Sequence, residues 1–508
     1  MKLSAYSKIE IRNSTWNYLT GKAATGIISF ICIILLVREL SISEYGAYVT
    51  FLASLEIIWA FSGMGLQWVA TRFLPEFRLH GSIKDIKTFS LKLLYFKILT
   101  LLFSSFISLY LIDIYLSFFD LSTFRESALC FIPVIFFEGF GIFIRDSFLS
   151  PLLLNLQIRN SIVIRKFSFL IIITIMSIAE KENLYYVSIA ELSASTIGSL
   201  FAFYYFLKFL GSFDKKNTKN YKDAPKFGQI LRIAKNMYGS HILSLAYSPQ
   251  IFLQILQRTL GNEASAIFGF LKSLYLLISN NLPASLLINI IKPKLVAGYV
   301  GGGGVKELKE NANLSGKISM FFLIPIIVFS AISGEKIVLF LSGGKFPDTG
   351  YLLFYFLLVA IPISQRQILE TAAVACGFSK LCIFASSICI FVTPFMIGLL
   401  EFGFGLWSTI ISLFSGQLLF DLIIVYWLGI KTSYKIDYLG FSKLILIGTI
   451  TFIMALFIPD FTHYFLDIII NGIFCFMAFL ILCWFLKPFN EYERLKTNNF
   501  IGLRIFVW

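Results

Sequence analysis

The sequence predicts an all-α polytopic membrane protein of about 14 transmembrane helices, arranged as two six-helix lobes with two further helices near its end. Three observations carry that prediction. Of 508 residues, 57% are hydrophobic and only 14% charged, and the mean hydropathy is +0.80, so a water-soluble core is nearly excluded. Apolar runs of roughly 20 residues recur along the chain, each long enough to cross a hydrocarbon core of about 30 Å as a helix. One long polar stretch, KFLGSFDKKNTKNYKDAPKFGQILRIAK from Lys208 to Lys235, divides those runs and sets its basic residues against only Asp214 and Asp223. A β-barrel would instead alternate in short segments of about ten residues.

In chain order, spans are expected near 17–37, 47–70, 93–112, 127–148, 167–179 and 185–207. These make an N-terminal lobe over 1–207. The basic connector, 208–236, should stay in the cytoplasm because Lys and Arg resist translocation. Spans near 237–257, 264–290, 318–333, 350–375, 381–400 and 406–428 make a C-terminal lobe over 237–430. A helix pair near 443–458 and 466–486 occupies 431–486, and 487–508 is a cytoplasmic tail ending IGLRIFVW. The first apolar run is too long for a signal-peptide core and has no small-residue exit, so the first span is expected to be retained.

With the N-terminus inside, roughly 32 of the 43 Lys and Arg fall on inner segments. The outer segments hold Arg38, Arg125, Lys181, Arg258, Lys336 and Lys345. Both termini are therefore expected in the cytoplasm. The same asymmetry accounts for the net charge of +14, and no nucleic-acid partner is expected. Every expected outer loop is short, so no extracytoplasmic domain is available for chemistry. Gly301 to Gly304 lacks the Gly-Lys-Ser/Thr that a phosphate-binding loop requires and reads as a linker. The seven Cys form no C-x-x-C pair and read as small buried hydrophobes, without a disulfide framework or metal site. No catalytic motif is visible and no cofactor is expected.

A weak repeat relates the two lobes. Arg38 to Pro75 and Arg258 to Pro293 each run from an outer basic residue through a tight turn and one apolar span to an inner proline. Two lobes that both start inside would be related by an axis along the membrane normal.

These segments resemble the polysaccharide flippases of the multidrug/oligosaccharidyl-lipid/polysaccharide (MOP) exporter superfamily, of the Wzx type that handles O-antigen units. RELSISEYGAY and GMGLQWVATRFLPEF are similar to the family's first-lobe turn and exit. LGNEASAIFGFLKSLYLLISNNLPASLLINIIKPKL is similar to the second-lobe counterpart, and FLSGGKFPDTGYLL and AAVACGFSK to the turns around span ten. The resemblance implies a V-shaped bundle with a central cavity that alternates between membrane faces. It also implies an undecaprenyl-diphosphate-linked oligosaccharide as cargo, residence in the bacterial inner membrane, and a polysaccharide polymerase and chain-length regulator as partners beside membrane lipids. An enzyme is not expected. The rivals are a polymerase or ligase acting on the same lipids, for which the large outer loops are missing, and a drug or cation exporter, for which cavity carboxylates should dominate.

Charges inside spans are costly, at about 2.5–3.5 kcal/mol near the bilayer centre, and mark function by default. Lys272, roughly 12 Å deep at 1.5 Å per residue, and Lys22 are expected cavity cations, with a structural ion pair as the alternative for Lys272 and snorkelling to the inner boundary for Lys22. On the resembled family's pattern a basic residue at the first of these positions contacts anionic cargo. Arg366 joins them, although Glu370 four residues on can pair with it. Arg145 is a fourth candidate cation, with interfacial anchoring beside Asp146 as its alternative, and Lys97 should snorkel. Glu56, Glu138, Glu191, Glu370 and Asp421 are carboxylates for a coupling H⁺ or Na⁺, or else partners of these bases. Span seven is unusually polar, and His241, Tyr247, Gln250 and Gln254 are its candidate sugar contacts.

Overall fold

The computed structural model describes residues 8–80, 83–181, 183–212, 227–281, 304–432, 434–459 and 464–501. Most of the basic connector, the end of expected span eight with Lys292 and Lys294, Gly301 to Gly303, His463 and the final residues of the tail lie outside the described residues. The chain forms two compact units, Met1–Gly269 and Phe270–Trp508.

The first unit contains α1 (Lys8–Glu39), α2 (Ile42–Phe61), α3 (Leu66–His80), α4 (Ile83–Tyr110), α5 (Ile112–Phe118), α6 (Arg125–Phe143), α7 (Asn155–Ile178), α8 (Leu184–Ser212) and α9 (Phe227–Leu245). Helix α10 (Pro249–Asn281) begins in the first unit and ends in the second. The second unit continues with α11 (Gly304–Ser342), α12 (Gly350–Ala375), α13 (Ser379–Cys389), α14 (Val392–Glu401), α15 (Trp407–Thr432), α16 (Tyr438–Ala455), α17 (Tyr464–Leu486) and α18 (Glu491–Ile501). No strand occurs among the described residues, and the chain has a multi-pass, all-helical membrane fold.

Among the described residues, 11 helices are long and apolar enough to cross a membrane, or 12 with the bent pair α2 and α3. The difference from 14 lies at expected spans seven and eight. There neither α9 nor the described part of α10 qualifies, expected span eight runs on past Asn281 outside the described residues, and α10 bends at Gly261, whose φ is +82°. Two other expected spans are interrupted. The run over 381–400 breaks between α13 and α14, and the run over 47–70 breaks between α2 and α3, which are bent by 58°.

Local chemistry explains the second break and the start before it. Ser41 and Glu44 form a reciprocal capping box, with Ser41 N donating to Glu44 Oε2 at 3.0 Å, so α2 begins at Ile42. Its last turn runs into Gly63-Met64-Gly65, where φ is +46° at Met64 and +73° at Gly65. A Cβ on Gly65 would stand 2.3 Å from the carbonyl oxygen of Ala234 in α9, so glycine is required both for the turn and for the close approach. Beyond it α3 resumes, and Leu66, Val69, Phe73, Leu74 and Phe77 pack on Leu93 and Leu94 of α4 and on Phe143, Phe148 and Phe206. Helix α6 continues through a π-helical turn over Ile144–Leu149.

In the second unit α11 packs along α12, α16 and α17, and α12 packs on α15. Phe321, Ile324 and Val328 of α11 meet Leu444 and Ile447 of α16 and Cys475 and Phe479 of α17. The additional helix pair is thus built onto α11.

Candidate functional site

Within the first unit, α6, α7 and α8 bury four charges that cancel. The Arg165 guanidinium of α7 donates through Nε to Glu138 Oε2 at 2.6 Å and through Nη2 to Glu191 Oε2 at 2.9 Å. Arg145 Nη2 donates to the other oxygen of Glu138 at 2.7 Å, and the Tyr48 hydroxyl to the other oxygen of Glu191 at 2.9 Å. Arg165 reaches both carboxylates because α8 carries glycine at 198, where a Cβ would stand 2.7 Å from Arg165 Cβ. A lone buried charge costs several kcal/mol, which a closed network of hydrogen-bonded pairs offsets. Arg145 Nη1 remains without a hydrogen bond.

The next residue leaves this network. Arg145 is 5% exposed, whereas Asp146, on the same π-turn, is exposed and lies within electrostatic reach of Lys22. Asp146 and Ser147 line a pocket beside the α2–α3 break, together with Trp59, Trp68, Lys97 and His241. Lys97 does not snorkel. Its ammonium is buried and donates to the Ser62 carbonyl and hydroxyl, each at 3.0 Å, so it caps the carbonyl end of α2 at the break. The His241 ring packs edgewise on Trp68, with centroids 5.4 Å apart.

Further along, the polar residues at the start of α10 are spent on α2. Gln254 Nε2 donates to Thr50 O at 2.9 Å and to Ser54 Oγ at 2.8 Å. Gln250 donates to Glu56, and Thr50 Oγ1 donates to Gln257 Oε1 at 3.2 Å. Gly46 permits this seam, since a Cβ there would meet Asn262 O at 2.2 Å. Tyr247, at 1% exposure, is buried core. Of the four candidate sugar contacts, Gln250 and Gln254 therefore hold helices together, Tyr247 is enclosed, and His241 alone lines the pocket.

In the second unit Arg366 donates through Nε to Glu370 Oε1 at 2.9 Å and through Nη1 to Gln417 Oε1 at 3.0 Å, and its guanidinium carbon lies 4.1 Å from the centre of the Phe420 ring. Asp421 on the same α15 is buried, and its Oδ1 has no hydrogen-bond partner. Lys272 is 7% exposed on α10. Toward the end of the chain, Lys317 is enclosed and donates to Asp437 Oδ2 at 2.7 Å and to Glu493 of α18 at 2.5 Å. Burial pushes the Asp437 carboxyl up, but the Lys317 ammonium and the Gly440 N–H outweigh it and hold it below its ordinary value.

The structure brings together Glu138, Arg145 and Glu191, and separately Arg366, Glu370 and Asp421. Arg165 and Lys317 are interior cations that the apolar runs do not reveal, because the expected spans over 167–179 and 318–333 start just after them, whereas α7 begins at Asn155 and α11 at Gly304. A helical signal that could have found Arg165 is its spacing of one turn from Ser161 and Phe169, both buried on the same face.

A family model described as polysaccharide biosynthesis protein matches residues 11–286. Among solved structures, the lipid II flippase MurJ in an inward closed conformation is similar with a TM-score of 0.68 at 14% identity, covering 92% of this chain and 98% of that one. An inward-facing multidrug resistance MATE family transporter of the MOP superfamily gives 0.58 at 13% identity, covering 83% and 94%. The Vibrio cholerae MATE transporter VcmN gives 0.59 at 13% identity, covering 84% and 98%. No curated protein matches the chain. At such identities the structural likenesses show the fold alone, and the family model, which spans over half the sequence, shows the kinship. This chain belongs to the polysaccharide biosynthesis protein family.

Proposed function

We propose that this protein is a flippase that moves an undecaprenyl-diphosphate-linked oligosaccharide from the inner to the outer leaflet of the bacterial plasma membrane by ion-coupled alternating access. Both termini lie in the cytoplasm, and a polysaccharide polymerase and a chain-length regulator act after it. The observation that carries the reading is the polysaccharide biosynthesis family match over residues 11–286.

The buried bases support it. A diphosphate must leave water to cross, and preplaced ammonium and guanidinium groups can replace its hydration. Arg145, with one amino group unbonded, and Lys22 and Lys272 are the cations assigned to that task. A drug exporter of the same fold would need carboxylates for a cationic cargo, yet Glu138 and Glu191 are already paired with guanidinium groups, Glu138 with Arg145 and Arg165 and Glu191 with Arg165. Asp421, with its unpartnered oxygen, is the carboxylate assigned to the coupling H⁺ or Na⁺.

The test is the surface glycan of a cell lacking this protein with its biosynthetic enzymes intact. The reading predicts no repeat units outside and lipid-linked units retained on the inner leaflet. Single repeat units at the surface would point to a polymerase, and a normal glycan to the drug exporter.

A further inference from the structure

Three independent features of the first unit meet at one place. The α2–α3 helix is broken at Gly63-Met64-Gly65. Opposite that break, α6 winds into the π-turn of Ile144–Leu149, and single π-turns recur at functional sites because they re-aim side chains. Between them lies a partly open cavity of about 80 Å³. Broken helices line ligand sites in membrane transporters for the same reason that they are rare elsewhere: their freed backbone groups need a polar neighbour.

The Trp59 indole N–H and the Lys97 ammonium of this pocket are bonded, to Ile135 O and to Ser62, but other polar groups in it are unspent. Ser147 is fully buried and its hydroxyl has no hydrogen-bond partner. Among the described residues, the Gln67 amide, the Trp68 indole N–H, the Asp146 carboxylate and the His241 ring also make no side-chain hydrogen bond, and all of them line the pocket. The contrast with the α2–α10 seam is sharp, because there every glutamine side chain is bonded to protein. A buried hydroxyl left unbonded costs about 1–3 kcal/mol, and a ligand that supplies its partner recovers that energy.

The chemistry selects the ligand class. Two indoles, Trp59 and Trp68, provide flat apolar walls, while donors (Gln67, Trp68, Ser147) and acceptors (Gln67, Asp146, Ser147) surround them. A sugar ring has apolar C–H faces and a rim of hydroxyls that both donate and accept, and so matches both features. A cation would also suit two indoles and a carboxylate, but the Lys97 ammonium on the same wall opposes it. We infer that the pocket at the α2–α3 break is a saccharide subsite, in which Trp59 and Trp68 stack on one sugar ring of the cargo and Gln67, Asp146, Ser147 and His241 bind its hydroxyls. This deepens the proposed function and rests on it.

The test measures binding by purified full-length protein in nanodiscs to two lipids: the lipid-linked repeat unit extracted from the strain that carries the gene, and undecaprenyl diphosphate without sugar. Tetraphenylphosphonium serves as a cationic competitor. Wild type should bind the glycosylated lipid more tightly. Ser147→Ala and Trp68→Leu should each weaken that binding about three- to tenfold, the scale of one hydrogen bond or stacking contact, and leave undecaprenyl diphosphate unchanged. Trp68→Phe, which keeps a ring, should recover part of the loss and serves as the control for folding. Variants that bind the glycosylated lipid as wild type does, that weaken both lipids equally, or a pocket emptied by tetraphenylphosphonium would overturn the subsite alone. Wild type that binds neither lipid would overturn the flippase reading, and the subsite with it.

Discussion

Arg165 and Glu138 meet at 2.6 Å in the interior of the first unit, and the same guanidinium reaches Glu191 at 2.9 Å. One side chain of α7 thus ties α6 to α8 through charge. Arg165→Met would leave Glu191 without its guanidinium partner, with the Tyr48 hydroxyl as its remaining hydrogen-bond donor among the described residues, whereas Glu138 would keep Arg145. Breaking a buried pair from one side costs about 3–5 kcal/mol, so thermal unfolding in detergent should shift down strongly. The double variant Arg165→Met with Glu191→Leu should recover much of that loss. A single variant as stable as wild type would contradict the network.

The α2–α10 seam depends on Gly46. Since a Cβ there would stand 2.2 Å from Asn262 O, Gly46→Val should force the helices apart and cost about 1–3 kcal/mol. Hydrogen exchange over 249–260 should accelerate. Unchanged protection would show that the seam has room.

Asp437 gives the second unit an acid-sensitive contact. Its folded-state carboxyl lies below the ordinary value, so the unfolded chain holds the proton more tightly. The contribution is present above about pH 4 and is lost as pH falls through the depressed value. Wild-type melting temperature should therefore drop more steeply on acidification below about pH 4 than that of Asp437→Asn. Superimposable pH profiles would remove Asp437 from the account.

Asp421 carries the coupling in the proposed function. Asp421→Asn should leave the protein folded and able to bind cargo, while transport ceases to respond to an imposed ion gradient. Gradient-driven transport at the wild-type rate would assign coupling elsewhere.

The sequence made the membrane class, the polar character of α9 and α10, and most of the interior charges legible, because apolar runs and the cost of buried charge are local properties. Partner choice was not legible, because it depends on how each helix is rotated against its neighbours. Gln250 and Gln254 looked like sugar contacts and instead bond to α2. Lys97 looked like a snorkelling residue and instead caps a helix end that appears only once the glycine break is known. Arg165 and Lys317 lie outside the apolar runs but inside helices that begin a dozen residues earlier, where opposite charges from other helices lower their cost. Trp59, Trp68 and Ser147 are not legible as a group in the sequence, since nothing in a linear pattern of aromatic and small residues reveals an unspent hydrogen bond.

The central claim is transport of a lipid-linked sugar, and reconstitution tests it most directly. Proteoliposomes loaded on one leaflet with a fluorescently tagged lipid-linked repeat unit would be followed by quenching from outside. The account predicts translocation in wild-type vesicles and a strong reduction with Lys272→Ala. Vesicles that move the lipid no faster than protein-free liposomes, under either H⁺ or Na⁺ gradients, would contradict it.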